Sequence, residues 1–379
     1  MGQRVKIVGA KNLTFENIAR ECLERKGIDI LGIVDSGSPR VQRDIEELME
    51  RGELEELAKG GLCYRKKTII LLASEVETSE KEGGSAHHLV YIPSWKQMKE
   101  YTRIMAQDYI KNVNISTQKA YLNMAQLIDL VDSLGGVVVP AHAFTPHKGI
   151  YGNCVERLAD ILTPQQIQKI PALELGLSAD TQMADQVSEV KDMSFLTNSD
   201  AHSLPKIGRE YNILYLEEPN FQEVLMAWRR QEGRKIIANY GLDPRLGKYH
   251  RTFCLQCEAI VDGPPPIGQC NHCTSTQVVK GVLDRVKEIA DQPEGNHPIH
   301  RPPYHYQIPL EFVPGVGNKT LDKLINHFGS EMAVLHQASS EELIQVVGEK
   351  IGRNIALARE GKLELVVGGG GHYGKVLVE

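Results

Sequence analysis

The sequence predicts an α/β chain: a parallel layer or barrel over about the first 245 residues, then a short metal-bound segment, then a helical C-terminal region. Three observations carry this. Short apolar, β-branched runs alternate with helical patterns in the first part. Two C-x-x-C pairs stand together between residues 254 and 273. From about residue 306 the pattern turns helical and ends in a glycine-rich tail. A chain of 379 residues has the length for roughly two to three domains.

The strands come first. The runs IDILGIVD, KKTIILLASEVE, HHLVYIP, LGGVVVPAHAF, IPALELGLS and MSFLTNSDAH read as short buried strands. Between them NIARECLERKG, SWKQMKEYTRIMAQDYIKN and KAYLNMAQLIDLVDSLGG read as helices. Polar residues recur where these strands end. Asp35 follows LGIV, Glu75 and Glu77 follow TIILLAS, His142 follows VVVPA, and Asp200 and His202 follow MSFLTNS. In α/β barrels and sheets that end carries the chemistry, because its loops converge on one mouth.

Asp35, Glu75, His88, His142, Asp200 and His202 therefore form a candidate metal set. The D-x-H spacing puts Asp200 and His202 on one side of an extended segment. Carboxylates with imidazoles suit zinc, manganese or iron(II) better than calcium. Two or three such ions can activate a water and stabilise the leaving oxygen of a phosphate ester. Singly, each residue has a plainer role: a lone His in PAHAF as a core histidine, Asp200 as a helix cap. His87 and His147 are less in phase and read as exposed.

Segment 251–280, RTFCLQCEAIVDGPPPIGQCNHCTSTQVVK, has no long helix. Cys254, Cys257, Cys270 and Cys273 are spaced C-x2-C-x12-C-x2-C. Each knuckle aims two thiolates at one point, and two knuckles make a tetrahedral S4 site suited to structural zinc. So short a segment needs its metal to fold. Cys22, Cys63 and Cys154 read as buried apolar residues, and His272 as exposed. The stretch DQPEGNHPIHRPPYHYQ reads as a linker. The expected domains are 1–250, 251–280, a linker 281–305, and 306–379.

In VPGVGNKTLDKLI, glycines open a helix, so backbone N–H groups can face a phosphate. Gly315, Gly317 and Lys319 are the candidate contacts; an ordinary tight turn is the alternative. SSEELIQVVGEKIGRNIALARE reads as a partner hairpin turning near Gly348. Gly369, Gly371 and Gly374 match G-x-G-x-x-G, but no helix or downstream acid follows, so a dinucleotide site is rejected. A flexible, backbone-exposed phosphate contact is the remaining reading of that tail.

The balance of 43 Lys+Arg against 49 Asp+Glu, net −6, excludes a generally basic nucleic-acid coat but not a local phosphate surface. No apolar run reaches the roughly 18 residues of a membrane span, and no signal-peptide core opens the chain. Lys6 breaks the N-myristoylation pattern. Seven cysteines, four in C-x-x-C pairs, favour a reducing compartment, the cytoplasm, with bound metal. The N-x-[ST] triplets at Asn12, Asn114 and Asn318 are then chance matches.

Together the strand-end ligands, the four-cysteine ribbon and the Gly-Val-Gly hairpin resemble the endonuclease Q family. The strings IVDSGSP, ASEVETSE, HHLVYIP, PAHAFTPHKGIYG, ELGLSADTQMADQ, TNSDAHSLPKIGREYN, ANYGLDPRLGKY, PLEFVPGVGNKTL and GGGGHYG carry the likeness across essentially the whole chain. The resemblance implies a distorted (β/α)7 barrel of the polymerase-and-histidinol-phosphatase (PHP) type with two or three divalent ions, Zn2+ or Mn2+. It adds a Zn2+ ribbon and a helix-hairpin-helix domain. Glu75, His88, His142, Asp200 and His202 fall on the family's ligand motifs, with Glu75, His142, Asp200 and His202 in catalytic roles. The implied activity is a DNA-repair hydrolase that cuts 5′ to deoxyuridine, deoxyinosine, deoxyxanthosine or abasic sites by metal-activated water, with the lesion flipped out of the stack.

Two departures stand out. PHP proteins open with an H-x-H strand, and MGQRVKIVGAKNLT resembles sequence just after it, so the first strand is expected to be missing. Relatives carry Cys-His after the aspartate where this chain has Ser36-Gly37. The alternatives to an active nuclease are an impaired or truncated lesion-binding paralogue and a PHP small-molecule phosphoesterase. The latter has no use for a ribbon and a phosphate-gripping hairpin.

Overall fold

The computed structural model describes residues 9–80, 83–115 and 117–377. The expected loss of the first strand concerns the opening residues, and positions 1–8 lie outside the described range.

The chain runs through α1 (Phe15–Glu21), β1 (Ile30–Ile33), α2 (Pro39–Glu50), β2 (Leu54–Glu56) and β3 (Leu62–Tyr64) into a long strand, β4 (Thr68–Ser79). Then come β5 (Ser85–Ile92), α3 (Trp95–Ile104), β6 (Gln118–Lys119), α4 (Met124–Ser133) and β7 (Val137–Pro140). Polar caps set the helix starts: the Ser94 hydroxyl accepts the Gln97 amide, and Asn123 with Gln126 forms a reciprocal cap on α4.

β4 is the spine of a seven-stranded sheet. β1 and β6 lie parallel along one edge, and β3 and β5 antiparallel along the other. β7 extends the sheet antiparallel to β5. Strand–helix alternation predicts parallel pairing here, and the structure differs for a simple reason. Only residues 80–84 join β4 to β5, whereas a parallel return needs about a dozen residues.

Both sheet faces are apolar. Ile70, Leu72, Val76 and Val90 pack with Met98 and Tyr101 of α3 and Leu127 and Val131 of α4. Ile69, Leu71, Ala73, Leu89 and Tyr91 face the other way, toward Phe221, Val224 and Trp228. This second face carries the candidate site. After α5 (Pro164–Gln168), β8 (Ala172–Glu174) and β9 (Ser194–Leu196) pair in parallel nearby, with α6 (Thr181–Ala184) between them in sequence. β10 (Tyr211–Tyr215), α7 (Phe221–Arg229) and β11 (Lys235–Gly241) follow.

The ribbon pairs β12 (Phe253–Cys254) with β13 (Val278–Val279). The stretch 281–305 is not the linker its composition predicts. It holds α8 (Val282–Ile289), whose Val282, Val286 and Ile289 bury in the main core at helical spacing. Arg301 forms an ion pair with Asp185 at 2.7 Å, both side chains 2% exposed. β14 (Tyr304–Tyr306) then adds to β11. Proline and histidine content obscured a segment that is an integral part of the α/β body.

The C-terminal helices are α9 (Asn318–Phe328), α10 (Glu331–His336), α11 (Ser340–Val347) and α12 (Glu349–Arg359). The turn between the last two falls at Gly348, as the sequence predicts. α10 docks on the residues after α1: the buried Lys26 ammonium lies 2.7 Å from Glu331. The tail folds into a hairpin, β15 (Leu365–Val366) with β16 (Lys375–Val376), and no helix follows the glycine triplet among the described residues. Among the described residues, no helix is long and apolar enough to cross a membrane.

Candidate metal centre and its surroundings

The β4–β5 hairpin builds the first part of the site. Glu75 and Glu77 are two apart on β4, so both point to the same face. The register sets Glu77 opposite His87, which puts His87 on that face as well. Its Nδ1 lies 3.2 Å from Glu75 Oε1 and its Nε2 3.6 Å from Glu77. His142, just past β7, brings its Nε2 to 3.9 Å from the same Glu75 oxygen. Glu75, His87 and His142 thus offer three ligand atoms within 4.8 Å of one another. Two imidazoles and a carboxylate at this spacing fit a borderline divalent ion such as zinc or manganese.

This corrects the sequence-based choice of histidine. His88 is fully buried on the opposite face, where its Nε2 meets the Thr78 hydroxyl at 2.9 Å. Burial pushes its pKa down to about 3. Expected to be exposed, His87 is instead half-buried in the cluster, while His147 and His272 are exposed as expected.

Neighbours hold the cluster in place. Thr117 donates to Glu75 Oε2 at 2.6 Å. The His142 Nδ1 is engaged by the Thr145 hydroxyl at 2.9 Å, which leaves Nε2 facing Glu75. Burial pushes the Glu77 carboxyl up, but the Lys148 ammonium at 2.8 Å outweighs it and holds the group low. Burial also works against the His142 imidazolium. Glu75, with the charges of Glu174 and Asp200, outweighs it and raises that pKa. The pocket is therefore set up to receive positive charge.

Glu174, at the end of β8, escaped the sequence reading. It is 3% exposed, accepts the His142 backbone N–H at 3.1 Å and is held by Asn198 at 2.8 Å. Burial raises its pKa to about 7. The available signal was its position: a carboxylate closing the apolar run IPALE, in the same phase as His142. Gly176 completes the junction, since a Cβ there would lie 2.8 Å from His142 Cβ.

Asp35, Glu75, His142, Glu174 and Asp200 line one cavity of about 920 Å³. Asp35 bridges to Ser74 beside β4. Asp200 lies outside the three-residue cluster but acts on His142 through its charge. His202 is not brought in. The segment is not extended at this point: Asp200 has φ +40°, and the His202 ring folds back to 3.0 Å from the Asp200 carbonyl oxygen. His142 has φ +30°, so two candidate residues sit in a costly left-handed conformation that the surrounding structure must maintain.

In the ribbon, Cys254, Cys257, Cys270 and Cys273 also lie within 4.8 Å of one another. The closest thiol pairs are 3.6 Å apart, a separation for shared metal and far beyond the roughly 2 Å of a disulfide. Backbone amides, that of Cys257 first, lower the Cys254 thiol toward the thiolate a metal needs, while burial and the neighbouring thiols raise Cys257. Burial instead raises Cys22 and Cys154 to about 12, as for inert core thiols. Gly317 forms the start of α9 with open space at its Cα, and Lys319 is exposed in the first turn. Gly315 has φ +89° and packs against Ile351.

The chain is similar to several known proteins. Residues 180–232 match the PHP-associated family model. The chain is 48% identical over 378 residues, 99% of its length and 95% of the relative's, to the uncharacterized protein YqxK of Bacillus subtilis. The lesion-specific endonuclease PfuEndoQ of Pyrococcus furiosus superposes with a TM-score of 0.84 at 30% identity, covering 100% of this chain and 94% of that one. Endonuclease Q in complex with a 27-mer duplex carrying an abasic lesion at its active site gives 0.85 at 32% identity, covering 99% and 94%. The chain belongs to the endonuclease Q family of PHP-type, metal-dependent endonucleases.

Proposed function

We propose that the protein is a DNA-repair endonuclease that hydrolyses the phosphodiester 5′ to a deaminated base or abasic site. One observation carries the reading. The fold that superposes on an endonuclease Q bound to abasic duplex holds a compact Glu75–His87–His142 ligand set at the wall of a large cavity. Glu75, His87 and His142 would hold a divalent ion, which would lower the pKa of an attacking water and offset charge on the departing oxygen. Asp35, Asp200 and Glu174 line the same cavity and are the candidates for further coordination. Glu174 fixes the His142 backbone, and its raised pKa lets it hold or release a proton near neutrality. The ribbon takes Zn2+, and Gly315, Gly317 and Lys319 grip the DNA backbone.

A second reading is favoured by Ser36. Its hydroxyl donates to the Ile33 carbonyl at 2.7 Å and is fully buried, so Ser36-Gly37 offers no ligand beside Asp35. On that reading the protein binds lesions and cuts slowly. A labelled duplex with one deoxyinosine, deoxyuridine or abasic site, incubated with added manganese or zinc, separates the two: one nick 5′ to the lesion supports the nuclease, and binding without nicking supports the second reading.

A further inference from the structure

The glycine-rich tail has no role in the site so far described, yet its packing is specific. It lies along residues 245–251 and on the ribbon. The Gly368 amide donates to the Arg245 carbonyl at 2.6 Å, Gly371 to Lys248 at 3.2 Å and Gly374 to Leu246 at 2.9 Å. A Cβ on Gly370 would meet the Phe253 ring at 2.5 Å, and one on Gly374 the Val366 carbonyl oxygen at 2.3 Å. Glycine is needed here for close approach.

What the flat tail presents is Tyr373. The Lys248 ammonium lies 4.6 Å from its ring centre, and the Lys206 ammonium and Arg209 guanidinium each 5.6 Å. Arg209 is 4% exposed and fully committed. It donates to the Ser199 and Asp200 carbonyls at 2.7 and 3.3 Å and to the Tyr373 hydroxyl at 2.9 Å. The Tyr373 oxygen thus accepts from Arg209, and its own proton is left to donate outward. Burial, then the charges of Lys206 and Arg209, push the Lys248 ammonium below the ordinary lysine value. Three cations around one ring repel one another unless an anion joins them. The Asp200 carboxylate acts on Lys248 in the opposite sense, but less than burial and the two cations do.

We propose that Lys206, Lys248 and the Tyr373 hydroxyl form a seat for a DNA backbone phosphate beside Asp200. Arg209 ties this seat to the strained Asp200 turn, so it is a positioning residue. The seat holds a phosphate flanking the one that reacts and aligns the strand on the metal centre. The inference rests on DNA being the substrate.

The test uses the full chain and duplex DNA with one abasic site, with no divalent ion added, so that binding is read apart from cleavage. The variants are Lys206→Gln with Lys248→Gln, and Tyr373→Phe. The double variant is expected to bind at least about 10-fold more weakly at 0.1 M salt and to lower the slope of log K against log salt by about 1. Tyr373→Phe is expected to weaken binding several-fold with an unchanged slope, because it removes a neutral donor. Unaltered melting temperatures confirm folding; a fold loss in the double variant is met by testing each single lysine variant. Wild-type binding with unchanged affinity and slope in the lysine variants overturns the seat alone. A wild type that binds no DNA overturns the DNA reading and the seat with it.

Discussion

The molecule carries two ligand clusters of opposite design. The ribbon gathers four sulfurs from one short segment, and their number saturates a tetrahedral ion. The barrel cluster gathers one carboxylate and two imidazoles from β4, β5 and the end of β7, and it opens on a cavity of about 920 Å³. Saturation suits a metal that holds a fold together. Incomplete protein coordination beside open space suits a metal that must take up water and substrate. Within one chain the difference separates a structural site from a candidate catalytic one without appeal to sequence likeness.

The comparison breaks most readily at the adjacent histidines. His87→Ala should lower lesion-directed nicking by at least about 100-fold with little change in melting temperature, since it removes a ligand at a half-buried site. His88→Ala should do the reverse, costing about 2 kcal/mol of stability through a buried cavity and the lost Thr78 contact while leaving metal content intact. Equal activity losses in both would place the ligand face wrongly.

Next in size is the ribbon. Cys270→Ser should remove one equivalent of zinc and lower thermal stability, because a domain this small depends on its metal. Metal analysis should show the barrel ions retained. Loss of both metals together would mean that the two sites are not independent.

A smaller effect concerns pH in the metal-free protein. Burial raises Glu174 to about 7 and Glu210 to about 8, both above the unfolded value. The folded state therefore binds more protons than the unfolded state over that interval, and stability falls as pH rises from about 4.5 toward 8. Glu174→Gln and Glu210→Gln should each flatten that decline in melting temperature. A decline of unaltered steepness would show that neither carboxyl is desolvated as its burial implies.

The smallest effect belongs to the hairpin. Lys319→Ala should lower the salt slope of DNA binding by about 0.9, the share of one phosphate contact. Gly317→Val, at a position with open space, should weaken binding without unfolding. An unchanged slope for Lys319→Ala would remove that residue from the interface.

What the sequence shows depends on how local the information is. The ribbon is legible because its spacing is the geometry. Which of the two adjacent histidines faces the cluster is not. In HHLVYI both alternating sets, His87-Leu89-Tyr91 and His88-Val90-Ile92, are equally apolar, and only pairing with β4 decides which faces the site. Glu174 was hidden for a related reason: its partners, His142 and Asn198, come from other strand ends. The helix α8 was readable from its Val282-Val286-Ile289 spacing, but surrounding proline and histidine obscured it.

The Glu75–His87–His142 cluster is proposed to cut DNA beside a lesion. The most direct measurement is nicking of an end-labelled duplex with a single abasic site by the wild type and by Glu75→Gln, with added manganese or zinc. One product ending 5′ to the lesion is expected, with Glu75→Gln slower by about 1,000-fold. Nicking that is equally fast in Glu75→Gln, or scattered regardless of the lesion, would contradict it.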